Sequence, residues 1–213
     1  MQGYESGHRV SILVCMARVI IGVDEAGRGP LAGPVAVGVV AISPRLNLGR
    51  MFSGLDDSKK LSAKKREEIY VEAVCRARAG ELSFCVRLTG STYIDTYGIT
   101  RAVRRGVWSG IRSLAPEPAG AKVFLDGLLH APPEYRQETI IGGDALVPVI
   151  SLASIVAKVR RDRLMERLAL LYPEYFFEQH KGYGTKKHFA AINKFGLCDI
   201  HRRTYCGNIK TGV

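Results

Sequence analysis

The chain has 213 residues, 46% apolar and 24% charged, which suits a soluble globular protein with one sizeable core or one domain plus a small appendage. Its net charge of +11 is unusual and points to a polyanionic partner, nucleic acid first. Five cysteines without a CxxC pair argue against a disulfide framework and suit a reducing cytoplasm, and no apolar run has the length of a membrane span or a cleavage signature.

Met16 stands just before the first strand pattern, and residues 1–17 are expected to be an extension or disordered. Val19 to Val23 has the length and β-branched content of a buried strand. It runs into Asp24-Glu25-Ala26-Gly27-Arg28-Gly29-Pro30, two adjacent carboxylates followed by a glycine-rich turn. A second strand is predicted from Pro34 to Ile42, then a turn-rich section from Ser43 to Lys60. A helix follows from Ser62 to about Ala79 with Ser62 as N-cap. Leu82 to Leu88 alternates as a third strand. Ile99, Val103, Val107, Ile111 and Leu114 recur at helical spacing, on a helix that ends before Pro116 and carries Trp108 in the core. Ala121 to Leu125 is a fourth strand ending at Asp126-Gly127, and Thr139 to Ile141 a fifth ending near Gly142-Gly143-Asp144. A long helix is predicted from Ser151 to Leu171, with Ile155, Val159, Leu164, Leu168 and Leu171 on its buried side. A short basic helix runs from Lys186 to Phe195 and is closed by Gly196. The sum is an α/β core of about five strands with a helical C-terminal appendage.

Charge is unevenly placed. From Val156 onward twelve basic residues face five acids, so this part carries most of the excess and is the expected electrostatic footprint. Acids meanwhile recur at strand ends: Asp24 and Glu25 after the first, Asp126 after the fourth, Asp144 after the fifth. A DE pair at one strand end is equally compatible with a solvated loop, but strand ends in an open α/β sheet can converge on one crevice. Carboxylates gathered there repel each other unless cations are bound. Two divalent ions about 3.5–4 Å apart would activate a water and stabilise the leaving oxygen of a phosphodiester. The Gly-Arg-Gly at Gly27, Arg28 and Gly29 offers backbone N–H groups at close range and one cation suited to phosphate.

The chain resembles the type 2 ribonucleases H, bacterial ribonuclease HII in particular. The resemblance rests on GVDEAGRGPLAGPV from Gly22, DSKKLS from Asp57, FLDG from Phe124, GDALVPVISLASIVAKVRRD from Gly143, HKGYGTKKH from His180 and HRRTY from His201, all in family order. It implies a ribonuclease H-like mixed sheet flanked by helices. The implied domains are a catalytic core over 18–171 and a C-terminal substrate-binding region over 172–213. It further implies metal-dependent cleavage of the RNA strand of RNA/DNA hybrids, and of single ribonucleotides embedded in duplex DNA, leaving 3′-hydroxyl and 5′-phosphate ends. Asp24, Glu25, Asp126 and Asp144 match the family's catalytic acids, which hold Mg²⁺ or Mn²⁺, two ions in the substrate complex. Gly27, Arg28 and Gly29 match the loop that reads the ribose 2′-OH, the group that distinguishes RNA from DNA. Tyr183 matches a tyrosine that packs on the sugar at the junction. The implied state is a cytoplasmic monomer with no membrane partner.

Two departures, Leu152 and Leu197-Cys198-Asp199, touch local packing and not the acids. Asp57 and Lys59 suit substrate phosphates or a solvated turn. Asp162 is expected to pair with a neighbouring arginine, and His180, His188 and His201 look too scattered for zinc. Arg160, Arg161, Lys186 and Lys187 read singly as solvated charges and together as a phosphate track. A non-catalytic nucleic-acid binding protein is the alternative from another class. A DNA nuclease of the same fold is a weaker rival, since cutting DNA needs no 2′-OH sensor.

Overall fold

The computed structural model describes residues 18–55, 61–207 and 209. The expectation for residues 1–17, and those for Asp57 and Lys59, lie outside them.

A five-stranded mixed sheet forms the centre. Its strands are β1 (Val19–Ala26), β2 (Val35–Ile42), β3 (Leu82–Thr89), β4 (Ala121–Asp126) and β5 (Arg136–Ile140), in the order β3-β2-β1-β4-β5. The first three form an antiparallel meander, while β4 pairs parallel to β1 and β5 parallel to β4. Strand alternation sorts the apolar side chains onto two faces. Ile20, Val40, Ile42 and Phe124 enter one core, and Ile21, Val23, Val37, Val39 and Leu125 enter the other. Burial on both sides is why β1 and β2 read as nearly continuous apolar runs. β5, with the sequence RQETI, lies at the sheet edge and is half exposed; it starts earlier than expected because its first residues are polar.

Helices cover both faces. They are α1 (Leu48–Met51), α2 (Ala63–Arg78), α3 (Ser91–Tyr97), α4 (Ile99–Leu114), α5 (Gly143–Leu146), α6 (Pro148–Leu171), α7 (Phe177–His180) and α8 (Lys186–Phe195). Ser62 caps α2 by accepting from Lys65 N, and Thr185 caps α8 by accepting from His188 N. α6 begins three residues before the expected Ser151, because Pro148 suits the first helical turn, where its missing N–H costs nothing. α6 crosses β1 and β2 at backbone contact: a Cβ on Gly22 would lie 2.2 Å from Val149 O, and one on Gly38 2.1 Å from Ala153 O. On the opposite face Gly106 and Gly110 bring α4 against Val37 and Val39.

The second half of α6 runs beyond the sheet, so its buried face changes. Met165 and Ala169 pack with Ala32, Tyr175, Phe177 and Ile192 in a third apolar cluster that seats the C-terminal segment. The predicted stripe fails here: Leu171 is exposed, and Leu164 and Leu168 are only half buried. Asp162 pairs with Lys158 at 2.8 Å rather than with an arginine, because i and i+4 share a helix face. Trp108 is half buried against the α4 core and donates from Nε1 to His130 O. Among the described residues no helix is long and apolar enough to cross a membrane, and the four described cysteines are unbridged.

Candidate active site

β1 and β4 stay paired only as far as Val23 and Leu125, so their carboxyl ends part just where the acids stand. Asp24 shares the strand face of Ile20 and Gly22, and Asp126 that of Phe124, which is the side covered by α6. The crevice between them is a cavity of about 470 Å³ whose walls include Asp24, Glu25, Asp126, the Gly27-Arg28-Gly29 turn and Tyr183. Residues from three distant parts of the chain thus meet as the sequence pattern anticipates. Asp144 is the exception. It is buried in α5 and does not line the cavity, although its neighbour Gly143 is close enough that a Cβ there would sit 3.5 Å from Asp126 Oδ1.

The acids are held in a strained electrostatic state. Asp24 Oδ1 accepts from Glu25 N at 2.7 Å, and Ser154 on α6 also hydrogen-bonds the carboxylate. Burial nevertheless pushes the Asp24 carboxyl up to about 8, with the charges of Glu25 and Asp126 adding to the shift. Glu25 is raised by burial too, against the opposing pull of Arg28, whose Nη1 lies 3.5 Å from Glu25 Oε1. Asp126 Oδ1 is buried with no hydrogen-bond partner, an arrangement that costs free energy unless a ligand reaches it.

Arg66, Ser154 and Lys158 also line the cavity and were not singled out from sequence. The signal for the last two was present: Ser154, Lys158 and Arg161 recur every three to four residues in an otherwise apolar stretch of α6, marking one polar helix face. Arg161 is not the solvated charge the sequence suggested. It is fully buried behind the turn, donating from Nε to Pro34 O at 2.9 Å and from Nη2 to Ala32 O at 3.3 Å.

Tyr183 is 42% exposed, with the Arg161 guanidinium 5.8 Å from its ring centre. Its position depends on Gly182, which has φ +87° and whose absent Cβ would lie 2.3 Å from Ala32 O. Gly182 O in turn accepts from Leu31 N at 2.9 Å, tying the tyrosine turn to the loop after Gly29.

The three histidines, far apart in sequence, are packed together. His180 and His188 stack with centroids 4.4 Å apart, and His188 Nε2 lies 3.0 Å from His201 Nε2. Cys198 N donates to His201 Nδ1, so His201 Nε2 donates to His188, whose Nδ1 then donates to Tyr183 O at 2.9 Å. All these ring nitrogens are occupied by protein groups. Among the described residues no three His, Cys, Asp or Glu side chains are placed to grip one metal ion by themselves.

Comparison with known proteins gives a consistent set of likenesses. The family model for ribonuclease HII matches residues 21–208. A ribonuclease HII of Burkholderia thailandensis is 46% identical over 187 residues, covering 88% of this chain and 83% of its own. The crystal structure of ribonuclease H2 from Pyrococcus horikoshii superposes with a TM-score of 0.68 at 26% identity, covering 87% of this chain and 93% of that one. A structure of Bst-RNase HIII in complex with Mn²⁺ has a TM-score of 0.61 at 16% identity, covering 85% and 64% respectively, which shows the shared fold alone.

Proposed function

From the premise that the chain belongs to the ribonuclease HII family and is an endoribonuclease, a phosphodiester hydrolase, we propose that it cuts the RNA strand of RNA/DNA hybrids, and single ribonucleotides in duplex DNA, at the Asp24–Asp126 crevice. The observation that carries this is the convergence of Asp24, Glu25, Asp126, the Gly-Arg-Gly turn and Tyr183 on one cavity. The products are a 3′-hydroxyl and a 5′-phosphate.

The acids fit divalent cations. Asp126 Oδ1 is an orphaned buried acceptor, and Asp24 is held protonated near neutrality by burial and its acidic neighbours. Both features favour a bound positive charge. Asp24, Glu25 and Asp126, which line the cavity, would hold Mg²⁺ or Mn²⁺, while Asp144, the fourth position of the resemblance, is buried next to Gly143 and would serve the site without lining it; the remaining ligands would be water and substrate oxygens, as is usual for Mg²⁺. Bound there, the ions would lower the pKa of a water and neutralise charge on the phosphate.

The rest is done by the chain's own groups. Arg28, Arg66 and Lys158 line the cavity and attract the strand's phosphates. The Gly27–Gly29 backbone meets the ribose 2′-OH, which deoxyribose lacks. Tyr183 presents its ring from the opposite turn to the neighbouring sugar and so responds to the RNA-to-DNA junction. The C-terminal segment, described over residues 172–207, extends the basic surface along the duplex.

The test is a set of duplexes with zero, one and four ribonucleotides, incubated with Mg²⁺ or with chelator. Cleavage is expected only with metal and only where a ribonucleotide is present; cutting of all-DNA duplex, or cutting in chelator, would overturn the reading. Asp126→Asn should abolish cleavage while largely preserving hybrid binding, at a barrier cost on the order of several kcal/mol. Near-normal turnover in that variant would remove Asp126 from the site.

A further inference from the structure

Behind the Gly-Arg-Gly turn lie two arginines, Arg161 and Arg202, that are both 0% exposed. Neither has a carboxylate within ion-pair distance among the described residues. Burying an unpaired guanidinium is costly, and five of their six guanidinium nitrogens donate to carbonyls of one loop, the sixth, Arg161 Nη1, being buried without a partner. Arg202 donates from Nη2 to Gly27 O at 2.6 Å, from Nη1 to Arg28 O at 2.8 Å and from Nε to Gly33 O at 3.0 Å. Arg161 takes Ala32 O and Pro34 O. Tyr205, half buried, adds its hydroxyl to Arg28 O at 3.2 Å. Gly27 itself, at φ +85°, has no room for a Cβ, which would fall 1.9 Å from Arg161 Nε.

The geometry of the peptide unit turns this into a statement about the cavity. In a trans peptide the C=O of one residue and the N–H of the next point in opposite directions, and the described residues contain no cis bond. With Gly27 O and Arg28 O both drawn towards Arg202, the N–H groups of Arg28 and Gly29 are turned away from it. Both residues line the cavity. We infer that Arg202, assisted by Tyr205 and Arg161, is a positioning residue for ribose recognition: its planar fork holds the two carbonyls so that the following amides present themselves to the substrate sugar. A lysine carries the same charge but lacks the fork, and cannot hold three diverging carbonyls.

This rests on the reading of the Gly-Arg-Gly turn as the 2′-OH contact. Its test is a ratio that a merely structural residue would not move: the affinity for a duplex with one ribonucleotide over that for the same duplex in all-DNA form, measured by anisotropy in chelator. For the unaltered protein the ratio should exceed one. Arg202→Lys should lower it about tenfold, or to one if it starts below ten, since hydrogen bonds from a charged group are lost. All-DNA affinity should hold within about twofold, because the charge is kept. Tyr205→Phe removes one neutral hydrogen bond and should lower the ratio about threefold, or to one if it starts smaller, with the melting temperature nearly unchanged. That second variant decides the matter if Arg202→Lys does not fold. A ratio unchanged in the folded variants, or an equal fall in both affinities, would overturn this inference alone. A ratio of one in the unaltered protein would overturn it together with the reading of the turn.

Discussion

Asp24 illustrates a conflict between folding and use within a single side chain. Its carboxyl titrates at about 8 in the folded protein and at 3.8 when unperturbed. Without metal the folded protein therefore holds a proton that the unfolded chain has released between those values. The stabilisation this gives is full below about pH 4 and lost as pH rises through 8. In chelator, Asp24→Asn should accordingly gain stability over the unaltered protein as pH rises from 6 to 9; denaturant melts at a series of pH values would show a constant difference if the carboxyl is not so perturbed. Tyr183 makes the complementary case. Being 42% exposed, its ring contributes much less to the core than the about 3–5 kcal/mol of a buried aromatic. Tyr183→Ala should leave the melting temperature close to normal while reducing cleavage at a single ribonucleotide more than cleavage within a long RNA strand. Equal losses on both substrates with a large fall in melting temperature would make it a core residue instead.

Among elements, the C-terminal segment is the one whose internal logic is most sensitive to pH. Burial holds His188 and His201 down at about 4 and lowers His180 as well. The neutral rings pass hydrogen bonds from Cys198 N to Tyr183 O. Since these folded values lie below the ordinary 6.5, the unfolded chain takes up protons first as pH falls. Stability from the neutral His188 and His201 rings is thus full above about pH 6.5 and lost towards pH 4, on the order of 2–3 kcal/mol for each of these two after allowance for solvent screening, with His180 acting in the same direction. Unfolding free energies measured from pH 7.5 to 4.5 should show this fall, and His201→Gln should flatten it; an unchanged slope would remove His201 from the effect. Element boundaries were mostly legible because capping and breaking residues are local, as with Ser62 and Gly196. Short α3 and α5, and polar β5, were illegible or misplaced because none of the three carries a periodic apolar pattern.

For the molecule as a whole, the basic excess should govern affinity. Lys186 and Lys187 are exposed in the first turn of α8, where cations oppose the helix dipole by a few tenths of a kcal/mol. Lys187 is compensated by donating to Gln179 Oε1 at 2.9 Å and by the Phe176 ring 3.9 Å away, and both side chains remain exposed to meet phosphates. Reversing both charges should weaken hybrid binding and reduce the slope of log affinity against log salt, each lost phosphate contact removing about 0.9 on B-form DNA. An unchanged slope would place the duplex elsewhere. By itself the sequence determined the strands, the main helices and the acids at strand ends, because periodicity, caps and motifs are properties of neighbouring residues. It also pointed to the Gly-Arg-Gly turn and Tyr183 as partners, through the family resemblance. Only the tertiary structure decided that Arg161 and Arg202 are buried behind that turn, that the three histidines pack together, and that Asp144 is buried and does not line the cavity. Each of these depends on which surfaces α6 and the C-terminal segment cover, and a charged residue's letter is the same whether its helix face meets water or another part of the chain.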